Sequence, residues 1–365
     1  MDVTFSDEQR DLRLMVRELL SREAGEGPAS TIWKRLSGEL GLTGITVPEE
    51  HGGAGASSIE LGIVLAELGR ALTPVPFLQT AVAATALAES GAALAAEVLP
   101  AIAAGELVAG LATPGPAAGY PSATRTADGL VLRGTLENVV DGPYLGLLLT
   151  PAVVEGATVL AAVRTAASGV TSTTLPTLDR SRPQARIVLD GAAAVELGDA
   201  AAASRADDLL LTAVAVESAG AARYCLNTTV EYLGTRVQFG RPVGTFQAVQ
   251  HRCADLAVLV EAATSTAWYA MWAAGLAAGT GSGSAAVSAP LAKAYCADTF
   301  RTVAGEMIQL HGGIGFTWEH PAHRYFKRAT STDLLFGGRA WVRSLVARRA
   351  GLAGPARRGS RGATY

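Results

Sequence analysis

RVQFGRPVGTFQAVQH, residues Arg236–His251, joins two long helical patterns. Arg236 closes the first and Gln247 lies near the start of the second, with Gly240, Pro242 and Gly244 forcing a tight connection between them. A guanidinium at such a junction suits bidentate contact with a diphosphate. Phe239 and Phe246 are placed to pack on an aromatic ring system. A plain helix–helix connector with a surface arginine would use the same residues, and the stretch alone leaves both readings open.

A second stretch, QLHGGIGFTWEHP (Gln309–Pro321), lies about sixty residues further on. Gly312, Gly313 and Gly315 remove side chains where backbone must approach a ligand or another chain. Gln309 supplies amide donors and an acceptor one turn earlier; by itself this pattern means only a helix end.

The remainder of the chain divides by pattern. FSDEQ offers Ser6 as N-cap with Gln9 three positions on, and Leu12, Met15, Val16, Leu19 and Leu20 then recur at helical spacing. VPEEHGGAG (Val47–Gly55) reads as a turn, SIELGIVLAELGRAL resumes the helix, TPVPF breaks it, and Ala-rich helix continues to about Gly105. From about Leu107 to Glu196, segments such as GLVLRGTLENVVDG and ARIVLDG are short, β-rich and bounded by Gly, Pro and Asp. Long helical patterns return from about Ala200. The expected architecture is α+β: an N-terminal helical domain at 1–106, a small β-barrel or sandwich at 107–199, a C-terminal four-helix bundle at 200–352, and a disordered tail at 353–365.

Composition excludes several classes of function. With 49% apolar and 17% charged residues, extended disorder is not expected. A net charge of −3 and no dense basic run before the tail argue against nucleic acid. Cys225, Cys253 and Cys296 are scattered without a CxxC pair, which fits a reducing, cytoplasmic location and no zinc site. The charged N-terminus is not a signal peptide. Glu89, Glu97 and Glu106 interrupt the Ala-rich region at 81–112, so no membrane partner is expected.

At this spacing, and after a helices–β–helices order, the two quoted stretches resemble the acyl-CoA dehydrogenase family. The resemblance runs over nearly the whole chain, taking in VPEEHGGAG and LDRSRPQARIVLDG (Leu178–Gly191). It implies an oligomer in which FAD lies between the β domain and a helical bundle while a neighbouring subunit completes the site. Arg236, Gln238 and Phe239, with Val243, Phe246 and Gln247 of the same connection, are then expected on the diphosphate and adenosine side. Gln309, Leu310, Gly312 and Gly313 would reach the same cofactor from the other protomer, and Gly337 and Gly338 match a loop that touches its adenine half. LENVVDG (Leu136–Gly142) corresponds to the strand behind the flavin ring, with Val139 and Val140 beside it. The family usually has Thr where Val140 stands, so here only backbone groups serve flavin N5. LATPGPAAGYPS (Leu111–Ser122) keeps the family's flavin- and substrate-contacting turn poorly.

The implied reaction, α,β-desaturation of an acyl thioester, needs a carboxylate to take the α-proton. The usual Glu position, 23 places past Gly313, is Phe336; the alternative, 26 places before Arg236, is Leu210. Asp333 and Asp207 each lie one turn before these positions and are weak candidates to substitute. With Asp208 and Glu217, they are expected to cap helices or face solvent. His311 and His320 are further acid–base groups, His311 reading as structural; no metal spacing is present.

The ending GGIGFTWEHPAHRYFKRATSTDLLFGG resembles the smaller actinobacterial type, some members of which assemble as α2β2 heterotetramers. In those, one chain carries the Glu and the other helps to form the FAD site. The resemblance implies the second kind: a subunit acting on acyl-CoA or another acyl thioester, homo- or hetero-oligomeric, with a Glu-bearing paralogue. Two further readings stand beside it. One is a repurposed fold that oxidises, dehydrates or cyclises a carrier-bound or polycyclic intermediate; the other is a non-catalytic scaffold.

Overall fold

The computed structural model describes residues 5–22, 29–113, 119–280 and 284–352; the tail expected at 353–365 and residues 114–118 of LATPGPAAGYPS lie outside them. Helix α1 (Asp7–Arg22) begins at the anticipated capping box. The Ser6 N–H donates to Gln9 Oε1 at 3.0 Å and the Gln9 N–H to Ser6 Oγ at 3.2 Å. Four helices follow: α2 (Ala29–Lys34), α3 (Ser58–Ala71), α4 (Phe77–Ser90) and α5 (Ala93–Ala103). Helix α5 runs through Pro100, which the sequence places as a break. Only three residues follow the proline, so the helix loses a ladder bond in its last turn alone.

Seven strands come next: β1 (Ala109–Leu111), β2 (Ser122–Thr126), β3 (Gly129–Val140), β4 (Leu147–Val154), β5 (Ala157–Arg164), β6 (Val170–Leu175) and β7 (Gln184–Gly198). Pairing runs β4–β2–β3–β7–β5, and β5 pairs back onto β4, closing a five-stranded ring; β1 adds to β4 and β6 to β7. Of the two expected forms this is the barrel. Alternate residues fill it, among them Leu130, Leu132 and Leu136 of β3 with Ile187 and Leu189 of β7. Register slips in β3 between Leu136 and Val139, where Asn138 takes φ +54°. That irregularity bends the strand end toward the helices.

The last five helices are α6 (Ala200–Thr235), α7 (Gln247–Thr280), α8 (Ser284–His311), α9 (Ala322–Leu334) and α10 (Gly338–Arg349). The expected four-helix set is thus joined by a fifth, with α10 packed on α8. By length and composition α6 is apolar enough to cross a membrane, yet 83% of its most apolar window is buried inside the protein. It is the central helix, touching α3, α4, α7 and α8, which is why it is hydrophobic all round.

The α3–α6 crossing depends on two glycines. A Cβ on Gly220 would meet the Ala66 carbonyl oxygen at 2.1 Å, and one on Gly69 the Glu217 carbonyl oxygen at 2.1 Å. Backbone cannot yield as a side-chain tip can. Gly220→Ala is therefore expected to force the helices apart and lower stability by about 1–3 kcal/mol, read as a drop in urea midpoint.

Charges tie the barrel to the bundle. Arg328 of α9 holds Asp179 and, at 3.2 Å, Glu217 of α6; Arg182, just before β7, donates to Glu217 Oε1 at 2.6 Å. All four side chains are at least nine-tenths buried. Glu217 therefore does not cap or face solvent as the sequence suggests, because two guanidiniums from distant segments enclose it.

Candidate active site and cofactor surface

Two cavities meet at Phe336. The first, about 220 Å³, lies between the end of β1 (Leu111–Thr113), the end of β3 (Glu137–Val140) and the α9–α10 turn (Leu334–Gly337). The second, about 320 Å³, is walled by Ser204, Asp207 and Leu210 of α6 and by Trp341, Arg348 and Arg349 of α10, with Thr113 and Phe336. The two alternative Glu positions, Phe336 and Leu210, thus border one cavity.

Phe336 takes φ +59°, a left-handed conformation that costs a bulky residue about 1–2 kcal/mol. Packing holds it there: its ring lies against the helical core. Gly337 follows at φ +97°, where a Cβ would strike the Trp341 ring at 2.2 Å.

The carboxylates near these positions are not solvent groups or caps. Asp207 lines the second cavity and accepts a hydrogen bond from Thr113 Oγ1 at 2.7 Å. Burial pushes its carboxyl up to about 7 against that hydrogen bond, and the charge of Asp208 adds to the rise. Asp208 is 8% exposed and paired with Arg349, which also donates to the Ala286 carbonyl at 2.8 Å; burial raises the Asp208 carboxyl to about 6. Asp333 lines neither cavity, and Arg339 holds its carboxylate at 2.8 Å.

The backbone carbonyl of Asp333 accepts from Lys293 Nζ at 3.4 Å. Burial pulls that ammonium down to about 8, and it anchors the C-terminal end of α9 just before Phe336. Thr113, Lys293 and Trp341 are the site residues that sequence reasoning missed. Each is an ordinary residue type whose role comes from tertiary placement.

The other expected cofactor residues occupy a different surface. Arg236 caps α6, and Tyr232 one turn earlier stacks on His311 at the end of α8, with centroids 4.5 Å apart. The two quoted stretches therefore sit side by side at one end of the bundle. Arg236, Gln238, Phe239, Gln247, Gln309, Gly312 and Gly313 are exposed there, Phe239 to 92%. Val243, Phe246 and Leu310 are half-buried among them, and none of these ten residues lines either cavity.

Phe239 and Phe246 meet edge to face at 6.2 Å, and Arg241 lies 4.1 Å over the Phe246 ring. His311 is 3% exposed and its Nδ1 lies 2.7 Å from the Met307 carbonyl, a helix-end brace. His320 packs on it at 4.3 Å. Of the remaining expected residues, Val139 and Val140 border the first cavity, while Gly338 opens α10 beside it. Among the described residues no group of three metal-ligating side chains converges.

Residues 6–106 match the model of the acyl-CoA dehydrogenase N-terminal domain and residues 212–351 that of its C-terminal domain. Acyl-CoA dehydrogenase IpdE2 of Mycobacterium tuberculosis is 34% identical over 94% of this chain and 98% of its own length. The chain belongs to the acyl-CoA dehydrogenase family. Acyl-CoA dehydrogenase FadE34 of the same organism is 36% identical over 95% of this chain, which spans about half (48%) of that protein.

Two solved structures share the fold closely. One, described as a Tcur3481-Tcur3483 steroid ACAD G363A variant, has a TM-score of 0.86 and 31% identity, covering 94% of this chain and 98% of that one. The other is the ChsE4-ChsE5 complex from Mycobacterium tuberculosis, with a TM-score of 0.87, 28% identity and coverage of 97% and 100%.

Acyl-CoA dehydrogenases are flavoproteins that use FAD. The first cavity suits a flat ring: β-strand backbone forms one wall, and Gly337 leaves the turn without a side chain. Its 220 Å³ falls below the roughly 300–1,000 Å³ of a complete small-molecule site. A dinucleotide must therefore extend over open surface, and the exposed end of the bundle offers Arg236, Gln238, Gln309 and two bare glycines for its charged half.

Proposed function

We propose that this chain is an FAD-holding subunit of an oligomeric acyl-CoA dehydrogenase and that a Glu-bearing relative supplies the proton-abstracting carboxylate. One observation carries the reading: Phe336 and Leu210 face the same cavity, and neither can accept a proton. Arg236, Gln238 and Phe239, with Gln309 and Gly313, would hold the nucleotide half of FAD, while Val139, Val140 and Gly337 would border its ring. FAD, when bound, supplies the hydride acceptor for desaturation of an acyl thioester. This chain's contribution is to bind, orient and exclude water. The likeness to the Tcur3481-Tcur3483 steroid ACAD and to the ChsE4-ChsE5 complex supports a two-chain assembly and a bulky, polycyclic acyl group.

A second reading rests on Asp207, a carboxylate inside the cavity with its proton affinity raised to about 7. In that case the chain carries its own base and works as a homo-oligomer.

Expression alone and together with a Glu-bearing relative separates the two. The first reading expects a chain that retains little flavin alone, by visible spectrum, and turns over no thioester. With the partner it becomes yellow and active, and Glu→Gln in the partner lowers turnover by about 10²–10⁴-fold. A yellow homo-oligomer that loses activity by the same factor on Asp207→Asn would replace it with the second.

A further inference from the structure

We propose that the Phe336 ring is a partition: the second cavity admits the polar carrier arm of a thioester, while the ring keeps the acyl chain out of the first. The inference deepens the base-lacking reading and rests on it.

Phe336 and Thr113 are the only residues common to the walls of both cavities. Thr113 is fixed by its hydrogen bond to Asp207 across the gap between β1 and α6, so the wall between the two spaces is the phenyl ring plus this bridge. The backbone at Phe336 is in the left-handed region that glycine or asparagine would occupy without strain. A β-branched or aromatic residue is the least suited to that geometry. An aromatic side chain held there against its backbone preference, between two glycine-bordered turns and two cavities, points to the ring itself as what the position supplies.

The chemistry of the two spaces differs accordingly. The second cavity offers the hydroxyls of Thr113, Tyr120, Thr158 and Ser204, with the guanidiniums of Arg348 and Arg349. Those groups suit the amides and phosphate of a carrier arm. The first cavity is bordered by Leu111, Val139, Val140, Leu334 and Leu335, which offer only backbone polarity and suit a flat ring. An acyl chain crossing from one to the other would pass through the space that the phenyl ring fills.

The test is a binding series that needs no turnover. Coenzyme A, acetyl-CoA, butyryl-CoA and hexanoyl-CoA are titrated calorimetrically into the wild-type chain, in the assembly in which it purifies, and into Phe336→Gly. Glycine suits the backbone at this position, which favours folding of the variant. The wild type is expected to bind all four within about twofold, because no methylene is buried. The variant is expected to gain about fourfold in affinity per buried methylene.

A wild-type affinity that climbs fourfold per methylene overturns the proposal without any variant. So does a folded Phe336→Gly whose affinities stay as flat as the wild type's. Phe336→Leu, which keeps most of the volume, is expected to stay near the wild type. A slope equal to that of Phe336→Gly would show that the ring is not what closes the passage. Turnover by the chain alone would defeat the base-lacking reading but is scored separately, since these titrations read binding and not reduction.

Discussion

Arg328→Ala is expected to cost about 3–5 kcal/mol, the range for removing one member of a buried ion pair. Arg328 is 2% exposed and bridges Asp179, Glu217 and the Ser181 hydroxyl, the last at 2.9 Å. Its removal leaves those two carboxylates, with the buried Asp141, facing Arg182 alone, whose Nη1 already lacks a partner. The consequence reaches beyond stability. Asp179 and Arg182 belong to the segment entering the barrel, while Glu217 and Arg328 belong to the bundle, so this cluster fixes the barrel–bundle distance along which both cavities lie. Arg328→Lys keeps the charge but loses the planar fork, so it should recover only part of the loss. Urea denaturation of the three proteins checks the order. A loss below about 1 kcal/mol for Arg328→Ala would mean that water reaches the cluster and that the barrel is held by packing alone.

The order helices, barrel, helices was legible because hydrophobic period and turn residues are local signals. Ser6 with Gln9 marked the first helix start, and Gly240 with Pro242 marked the α6–α7 connection, both within a residue or so of where the helices begin and end. What the sequence hid is non-local. Asp207, Asp208 and Glu217 read as solvent or cap residues because their partners, Thr113, Arg349 and Arg328, lie between 94 and 141 positions away. The emptiness of both Glu positions was visible in the residues themselves. That Phe336 and Leu210 border one cavity was not, since it depends on how α9 and α10 fold back beside α6. Thr113 carried no signal: a lone threonine before a Pro-Gly turn is an ordinary loop residue.

Asp141→Asn is expected to stabilise the protein at neutral and alkaline pH and to leave it unchanged near pH 4. Burial pushes the Asp141 carboxyl up to about 7 from an ordinary 3.8, with Arg182 and Arg328 opposing the rise and Glu217 and Asp179 adding to it. Between those two values the folded chain holds a proton that the unfolded chain has released. Stability therefore falls as pH climbs from about 4 to about 7, and the loss is complete above that. Asp207 and Asp208 act in the same direction, at about 7 and about 6. The buried carboxylates of Glu67 and Asp179 act oppositely. Their arginine partners and hydrogen bonds hold them below the usual range, so their contribution is present above it and disappears as pH falls through the lowered values. The native protein should then be most stable in mildly acid solution, between the two sets. Asparagine at 141 has no charge to bury, and it tolerates the φ of +57° found there. At pH 8 the variant should gain on the order of 2–4 kcal/mol, read as a rise in urea midpoint that shrinks toward zero at pH 4. A variant that is instead weaker at pH 8 would show that Asp141 is ionised in the fold and that Arg182 and Arg328 depend on its charge.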